Sequence, residues 1–593
     1  MVEIPEKLRS FIINLVQKQD WYYGLDRTIV SARMKTMADD YIIKGVMLSV
    51  AVGIAGIFAS SLFYTFQTGL TTIPDILTAA RLGGLSQEYA QKALYTIIVY
   101  AVMILIPVLS FSTSLTFITT YPKMKATERG KMIDEKMSVF ASHMAIMLQN
   151  NAYLLDAFGY IEKSKLYGEI GEEIGIILKR SSFNINYIDA INHVASTTSS
   201  YELRKYLNGI VETTLNMGTL NTYLRNASEN LNRLSSIKSK ESTQGRAALV
   251  EIYTIAMVMM PLMVLLTLMT TALMGEEVTM GDVVVYGYIP LGTIVFLLMA
   301  ERGIKIEVKP DTEKEKGINK DKEGFKEKVN VKDYLNTEDG RLVIGAVAGA
   351  IAAYLIKLIG LGIDTTLLVF FIIMILPYGL YWRGEVNRLR KEEEAMTVFL
   401  RNVADRHRMG YGIIEIFEPS PVYEHINKRV EKIYQSLKMG ESLETAIDIL
   451  KDKKSFVMTR AAVIINDALR CGGNISKVLE GVGEDIQNNF NINREIEGDM
   501  KMNTKMIIAT YFLFVAIVWI INNMFFKAFT NLGTGVSIPL DMEYYKRLFY
   551  HSSALTGIGA GLVMGRYEQG DPRPGLVFSA IFALITVVAF SYL

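Results

Sequence analysis

The chain is almost without cysteine: one, Cys471, in 593 residues. A disulfide within the chain is therefore excluded, as is a metal site built from several thiolates. Histidine is nearly as scarce. His143, His193, His407, His425 and His551 stand far apart, and none forms the HxxxH or HExxH pair that sets two imidazoles on one helix face. An excess of charge of one sign is lacking too. The net charge is +1, so no nucleic acid partner is expected from bulk charge. No GxxxxGK[ST] loop occurs. Gly130-Lys131-Met132 lacks both the leading glycine and the hydroxyl residue, and without them no backbone cradle for phosphates forms. A Gly-x-Ser-x-Gly elbow, a kinase signature and paired aspartates within the apolar runs are missing as well. The expectation is a chain that is not an enzyme, with no cofactor and no metal. Residues 1–40 lack the apolar core of a signal peptide. They read as a cytoplasmic amphipathic helical segment, with Pro5 in a first turn and Leu8, Phe11, Ile12, Leu15 and Val16 on one face.

Long apolar runs, by contrast, are abundant. About 20 mostly apolar residues cross a bilayer core, and nine stretches qualify. They are Gly45–Phe66, Ala93–Pro122, Ile252–Gly275, Val283–Ala300, Leu342–Ile363, Thr365–Trp382, Met506–Phe526, the short glycine-rich Leu548–Gly565, and Pro574–Leu593. Lys and Arg mark the cytoplasmic side. The long stretches 123–250 and 384–505 are rich in both, and the linker 301–341 holds eleven basic and eleven acidic residues. The turns at Glu276–Asp282 and near Asp364 hold no basic residue. Nine spans with the N-terminus inside put every long basic segment in the cytoplasm and both basic-free turns outside. The expected layout is a cytoplasmic N-terminal segment 1–40, two spans in 41–122, a helical domain 123–250, two spans in 251–300, a charged flexible linker 301–341, two spans in 342–383, a second helical domain 384–505, and three spans in 506–593.

The two helical domains look alike. Met137-Ser-Val-Phe140 answers Met396-Thr-Val-Phe399, and Leu154, Leu155, Ala157 and Phe158 answer Ile413, Ile414, Ile416 and Phe417. Tyr187–Ile191 aligns with Leu443–Ile447. Gly218, Leu220, Leu224 and Leu231 align with Gly473, Ile475, Leu479 and Ile486. The order holds throughout, so this is a duplicated unit. The expected fold class is all-α: a polytopic membrane protein of about nine transmembrane helices with two homologous cytoplasmic helical-bundle domains. The glycines Gly218, Gly410, Gly412, Gly440 and Gly473 read as turn residues without further function. Ser442 reads as the cap of the helix that starts at Leu443.

The paired units resemble the type II secretion system F domain family. Its first pattern, a Phe, an apolar run, a polar or Gly step and a second apolar helix, fits Phe140 to Phe158 and again Phe399 to Phe417. Its second fits Gly440-Glu-Ser-Leu-Glu-Thr-Ala446. Its third, a Gly turn before the closing helix, fits Gly472-Gly-Asn-Ile-Ser-Lys-Val-Leu479 and, more loosely, Gly218-Thr-Leu-Asn-Thr-Tyr-Leu224. Bacterial members often carry Glu before that turn, where this chain has Leu215 and Arg470, and they have far fewer spans. Nine spans around two domains are more similar to the archaeal branch, the platforms of archaella and related pili. The resemblance covers residues 120–275 and 390–530. It implies a cell-membrane platform whose partners are a hexameric cytoplasmic secretion ATPase, archaellin or pilin filament subunits, membrane lipid and a second copy of the chain. In an archaellum such a platform also supports rotation.

Contact candidates are basic. Arg401, Arg406 and Arg408 cluster early in the second domain, beside His407, and Lys428, Arg429 and Lys432 follow. An acidic face of the ATPase would dock there by charge complementarity. The plainer reading, a solvated face near anionic lipid, suits the juxtamembrane Lys123, Lys125, Arg129 and Lys131. Cys471 reads as a small buried residue at a helix end. Gly345 with Gly349, and Gly557 with Gly561 and Gly565, read as close helix packing within this chain, dimerisation being the other reading. The alternative function is a transporter or channel with parallel repeats. It would need ionisable residues in the spans, and these hold almost none. A membrane sensor, the third reading, would need an outer ligand domain, and the outer loops are short.

Overall fold

The computed structural model describes residues 20–66, 87–149, 152–164, 166–273, 280–303, 338–358, 362–452, 454–472, 474–526 and 542–591. The expected amphipathic face from Leu8 to Val16, most of the 301–341 linker and Gly473 lie outside the described residues. Among those described, every regular element is helical; extended backbone pairs only in an isolated bridge between Asp452 and Ser455. Apolar runs leave the backbone no partner but itself, which selects helix. In the polar segments an amphipathic period does the same. Ile170, Ile174 and Ile177 line the buried face of Glu169–Ser182, and Leu203, Leu207 and Ile210 that of Tyr201–Leu215.

Seven helices among the described residues are long and apolar enough to cross a membrane, within Ala38–Phe58, Leu220–Thr271, Met280–Ala300, Arg341–Leu358, Ile363–Arg408, Ile475–Asn523 and Arg573–Phe590. Of the other two expected spans, 93–122 lies within the helix Gln87–Gln149 and 548–565 within Met542–Gln569.

The chain divides into two compact units. The first comprises Met1–Met137 and Glu169–Tyr223. In it, Leu25 and Ile29 of helix Asp20–Ser31 bury against Ala38 and Ile42 of Ala38–Phe66. Small residues bring Ala38–Phe66 close to Gln87–Gln149: a Cβ on Gly45 would strike Ile118, and one on Gly56 would strike Ser110. Tyr41 Oη donates to the Ile118 carbonyl at 2.8 Å beside that contact.

The second unit comprises Ser138–Gly168 and Leu224–Leu593. Its apolar core joins Tyr253, Met257 and Leu265 to Tyr511, Phe514 and Val518, and to Phe549, Val563 and Phe582. Tyr511 Oη donates to the Phe582 carbonyl at 2.9 Å, which satisfies that polar tip. Both glycine spacings pack inside the chain. A Cβ on Gly561 would collide with the Ser579 backbone, and one on Gly565 with Gly575; Gly345 and Gly349 lie against Met374 and Phe370.

Helices Ile363–Arg408 and Ile475–Ile520 have 46 residues each, about 69 Å at 1.5 Å per residue. Each runs unbroken between an apolar stretch and a polar one. Gln87–Gln149, with 63 residues, does the same. Leu220–Tyr253 continues through a π-helical turn at Thr254–Met259 into Met260–Leu273. The polar domains are thus extensions of the apolar helices rather than modules on flexible tethers.

Candidate functional site: the duplicated helical domains

The repeat read from the sequence buries the same positions twice. Met137, Phe140, Ala157 and Phe158 are buried, and so are Met396, Phe399, Ile416 and Phe417. Ile170, Ile174 and Ile177 match Ile426, Val430 and Ile433; Leu224 matches Leu479. Ring contacts repeat too. Phe140 meets Tyr167 edge-on at 6.1 Å, and Phe399 meets Tyr423 edge-on at 5.3 Å.

A capping device is also duplicated. Ser200 accepts the Leu203 N–H at 3.0 Å at the start of Tyr201–Leu215 and donates its hydroxyl to Asp134. Ser455 accepts the Met458 N–H at 3.2 Å at the start of Phe456–Arg470 and donates to Glu393 at 2.5 Å. Each cap satisfies an otherwise orphan N–H, and a carboxylate on the long entering helix holds the serine. Ser442 caps Leu443–Ile447 through the Thr445 N–H at 3.3 Å, as its sequence position suggests.

The helix ends of the second domain close on glycine. Gly410, Gly440 and Gly472 have φ of +90°, +88° and +80°, the left-handed position after a helix where a Cβ is unfavourable. In the first domain the left-handed places fall to Gly168, Asn184 and Met217, at φ +49°, +60° and +52°. Gly218 follows Met217 and donates its N–H to the Thr213 carbonyl at 2.9 Å. Gly412 begins a helix instead, its N–H held by the Glu415 carboxylate at 3.1 Å. The expected turn residue Gly473 lies outside the described residues; its neighbour Gly472 is left-handed.

The six candidate docking cations divide into two sets. Arg401, Lys428 and Lys432 are exposed; Lys428 and Lys432 stand one turn apart on Asn427–Lys438. The other three are engaged within their own domain. Arg406 donates to the Glu415 carbonyl at 3.4 Å. Arg408 pairs with Glu480 and lies 3.8 Å from Asp405. Arg429 is half-buried between Glu392, at 3.1 Å, and Asp452. Burial opposes ionisation of Asp452, but the Lys454 N–H and the Arg429 guanidinium hold its carboxyl below the ordinary value.

Comparison with known proteins explains the duplication. The family model of the type II secretion system (T2SS), protein F, matches residues 140–268 and again 411–522. The chain carries two F domains. An uncharacterized protein of Methanocaldococcus jannaschii is 21% identical over 508 residues, spanning 80% of this chain and 82% of that one, in keeping with the archaeal branch. No solved structure matches. The matched family is that of a secretion-system protein, and among its described residues this chain is helical, with seven helices long and apolar enough to cross a membrane.

One polar cluster joins the two F domains within the second unit. His143, of the first, shares a 2.7 Å hydrogen bond between Nδ1 and the Tyr167 hydroxyl. Its Nε2 faces Asp467 Oδ2, of the second, at 3.7 Å. Arg460 and Asp485 form a buried ion pair in the second domain, and Asn466 donates to Asp448 at 2.6 Å. Burial, with the positive charge of Arg460, pushes His143 down to about 3. Burial pushes Asp467 up to about 7. A neutral imidazole therefore faces a largely protonated carboxyl just below neutral pH. Next to this cluster, burial pushes the Cys471 thiol up to about 11. Cys471 is half-buried and caps a helix end, and at neutral pH it is a thiol rather than a nucleophile. No sequence pattern pointed to the His143–Asp467 contact. The serine caps and the Tyr167–Tyr423 correspondence were visible in it, as residues at nearly the repeat spacing.

Proposed function

We propose that this chain is the cell-membrane platform of an archaellum or type IV pilus-like assembly machine. In this reading nine spans cross the membrane, the N-terminus and both F domains lie in the cytoplasm, and a hexameric secretion ATPase docks from below. The ATPase supplies nucleotide chemistry; the platform passes its motion to archaellin or pilin subunits leaving the membrane, and to rotation where the filament is an archaellum. The observation that carries the proposal is the run of helix from F domain into apolar span. A torque or push on Ile363–Arg408 or Ile475–Ile520 travels along one continuous helix rather than dissipating in a loop.

Docking falls to the exposed cations Arg401, Lys428 and Lys432, because Arg406, Arg408 and Arg429 already hold acceptors of their own domain. The test is co-purification from the native cell in detergent, with mass spectrometry of what accompanies the chain. Recovery of a secretion ATPase with filament subunits, and its loss in the triple variant Arg401→Glu, Lys428→Glu, Lys432→Glu, is the expected result. Unchanged ATPase recovery by the variant removes the docking surface; recovery of neither ATPase nor filament subunits by the wild type removes the platform.

A further inference from the structure

We propose that the anionic headgroup of a membrane phospholipid is held by an arginine–tryptophan cluster where three apolar helices meet the membrane surface. Three runs have an arginine at their boundary: Arg341 precedes Leu342–Ile363, Arg383 follows Thr365–Trp382, and Arg573 precedes Pro574–Leu593. The fold gathers these boundaries. Arg341 lies over the Tyr381 ring at 4.3 Å. Tyr381 and Trp382 meet edge-on at 6.0 Å. The opposite neighbour of that pair is Arg573, over the Trp382 ring at 4.0 Å, and Lys454 stands 5.9 Å from the same ring. Arg383 lies over Phe578 at 4.7 Å.

Four cations thus share a small region, and among the described side chains carboxylates pair with two of them. Lys454 is paired with Glu385 at 3.0 Å, and Arg573 with Asp571 at 3.2 Å. Among the described residues, Arg341 and Arg383 have an aromatic face beneath them and no ion pair. Two further N–H donors, Trp382 Nε1 and Arg341 Nε, are buried without an acceptor among the described residues. A buried donor left unpaired is unfavourable, and every unsatisfied group here is a donor. The missing partner is therefore a negatively charged group made of acceptors. Its place at the ends of apolar helices, among tryptophan and tyrosine, is the depth of phospholipid phosphates. Guanidinium forks match phosphate oxygens in pairs. The proposal needs only that these helix ends lie at a membrane surface, so it stands or falls separately from the platform reading.

The experiment uses the full chain in nanodiscs of phosphatidylcholine, with and without phosphatidylglycerol, read by native mass spectrometry of retained lipid and by thermal midpoint. The wild type is expected to retain phosphatidylglycerol in preference to phosphatidylcholine and to melt higher in its presence. Arg341→Gln with Arg383→Gln is expected to weaken retention about 30-fold, at one guanidinium's worth of surface attraction each. Trp382→Phe, which keeps the ring and loses the N–H, is expected to weaken it about fivefold. Lys477→Gln with Lys501→Gln, two exposed cations elsewhere, should change nothing. Equal retention of the two lipids by the wild type overturns the proposal, whether or not the arginine variant folds. Equal retention by wild type and arginine variant overturns it as well. Displacement of the retained lipid by millimolar inorganic phosphate or glycerol phosphate would make the site one for a soluble phosphate and overturn the lipid assignment.

Discussion

In the first F domain the helix Glu169–Ser182 carries a fully buried carboxylate, Glu173; at the same place in the second, Asn427–Lys438 carries Arg429. Each charge is met by its opposite, but from different sources. Glu173 takes Arg129 at 3.3 Å from the long entering helix and Arg33 at 2.6 Å from the turn before the first apolar helix. Arg429 takes Glu392 at 3.1 Å from the entering helix and Asp452 from later in its own domain. Apolar positions were kept through duplication while this ion pair reversed sign. A buried charge is tolerated only with a partner, so such a reversal requires compensating changes around it. The consequence is an asymmetry: the second domain closes its charge internally, and the first is tied to the N-terminal segment through Arg33.

The largest expected effect tests that asymmetry. Glu173→Ala leaves Arg33 and Arg129 together without their shared carboxylate, and should destabilise by about 3–5 kcal/mol. Arg429→Ala opens a half-exposed site and should cost about 1–2 kcal/mol. Thermal unfolding of the purified chain in detergent compares them. Equal losses would mean that the two ion pairs are equivalent and the tie through Arg33 is incidental.

The next effect concerns pH. Asp467 is raised to about 7, so its contribution to stability is full at acid pH and is lost as pH rises through about 7. His143 is lowered to about 3, so its contribution is full above the ordinary imidazole range and is lost as pH falls through about 3. Between about pH 4 and 6.5 the two slopes oppose and the wild type should be nearly flat. Asp467→Asn removes one of them. Stability of that variant should then rise with pH across the same window, by at most about 1.4 kcal/mol per pH unit. A flat profile for Asp467→Asn would mean that His143 and Asp467 do not titrate as their burial requires.

These contrasts also mark what a single sequence can disclose. Amphipathic period and repeat order exposed the cores, because Phe140, Phe158, Phe399 and Phe417 recur at one spacing and burial follows that spacing. The apolar runs exposed the membrane helices for the same reason. Arg429 stood in a basic run that reads as a surface patch, yet its carboxylates come from the helix before it, at Glu392, and from the isolated bridge after it, at Asp452. His143 and Asp467 belong to different repeats, so no local pattern connects them. Side-chain pairing across helices depends on tertiary approach, which charge runs do not encode.

The serine caps should show likeness rather than difference. Ser200→Ala and Ser455→Ala each lose the hydrogen bond to an orphan N–H and leave a carboxylate, Asp134 or Glu393, without its hydroxyl donor. Each should cost about 1 kcal/mol in thermal unfolding. If one is silent, that cap has been replaced by solvent and the device is no longer shared.

The smallest effect sharpens the comparison at the helix ends. Gly410 has φ +90° and nothing within 4 Å of a built Cβ, so Gly410→Ala meets no clash and tests backbone strain alone. It should destabilise by about 1 kcal/mol. Met217 occupies a left-handed position, φ +52°, with a methionine, and its side chain is almost wholly exposed at 96%. Met217→Gly therefore loses little packing and relieves the same strain, partly offset by the greater freedom glycine has when unfolded. A gain of about 0.5 kcal/mol is expected. Opposite signs at the two sites would show that the second domain has optimised its turns where the first has kept an exposed methionine at a conformational cost. A loss at Met217 would show that this side chain contributes to the stability of the purified chain despite its exposure, and the two domain ends would then have to be counted as differently built rather than differently refined.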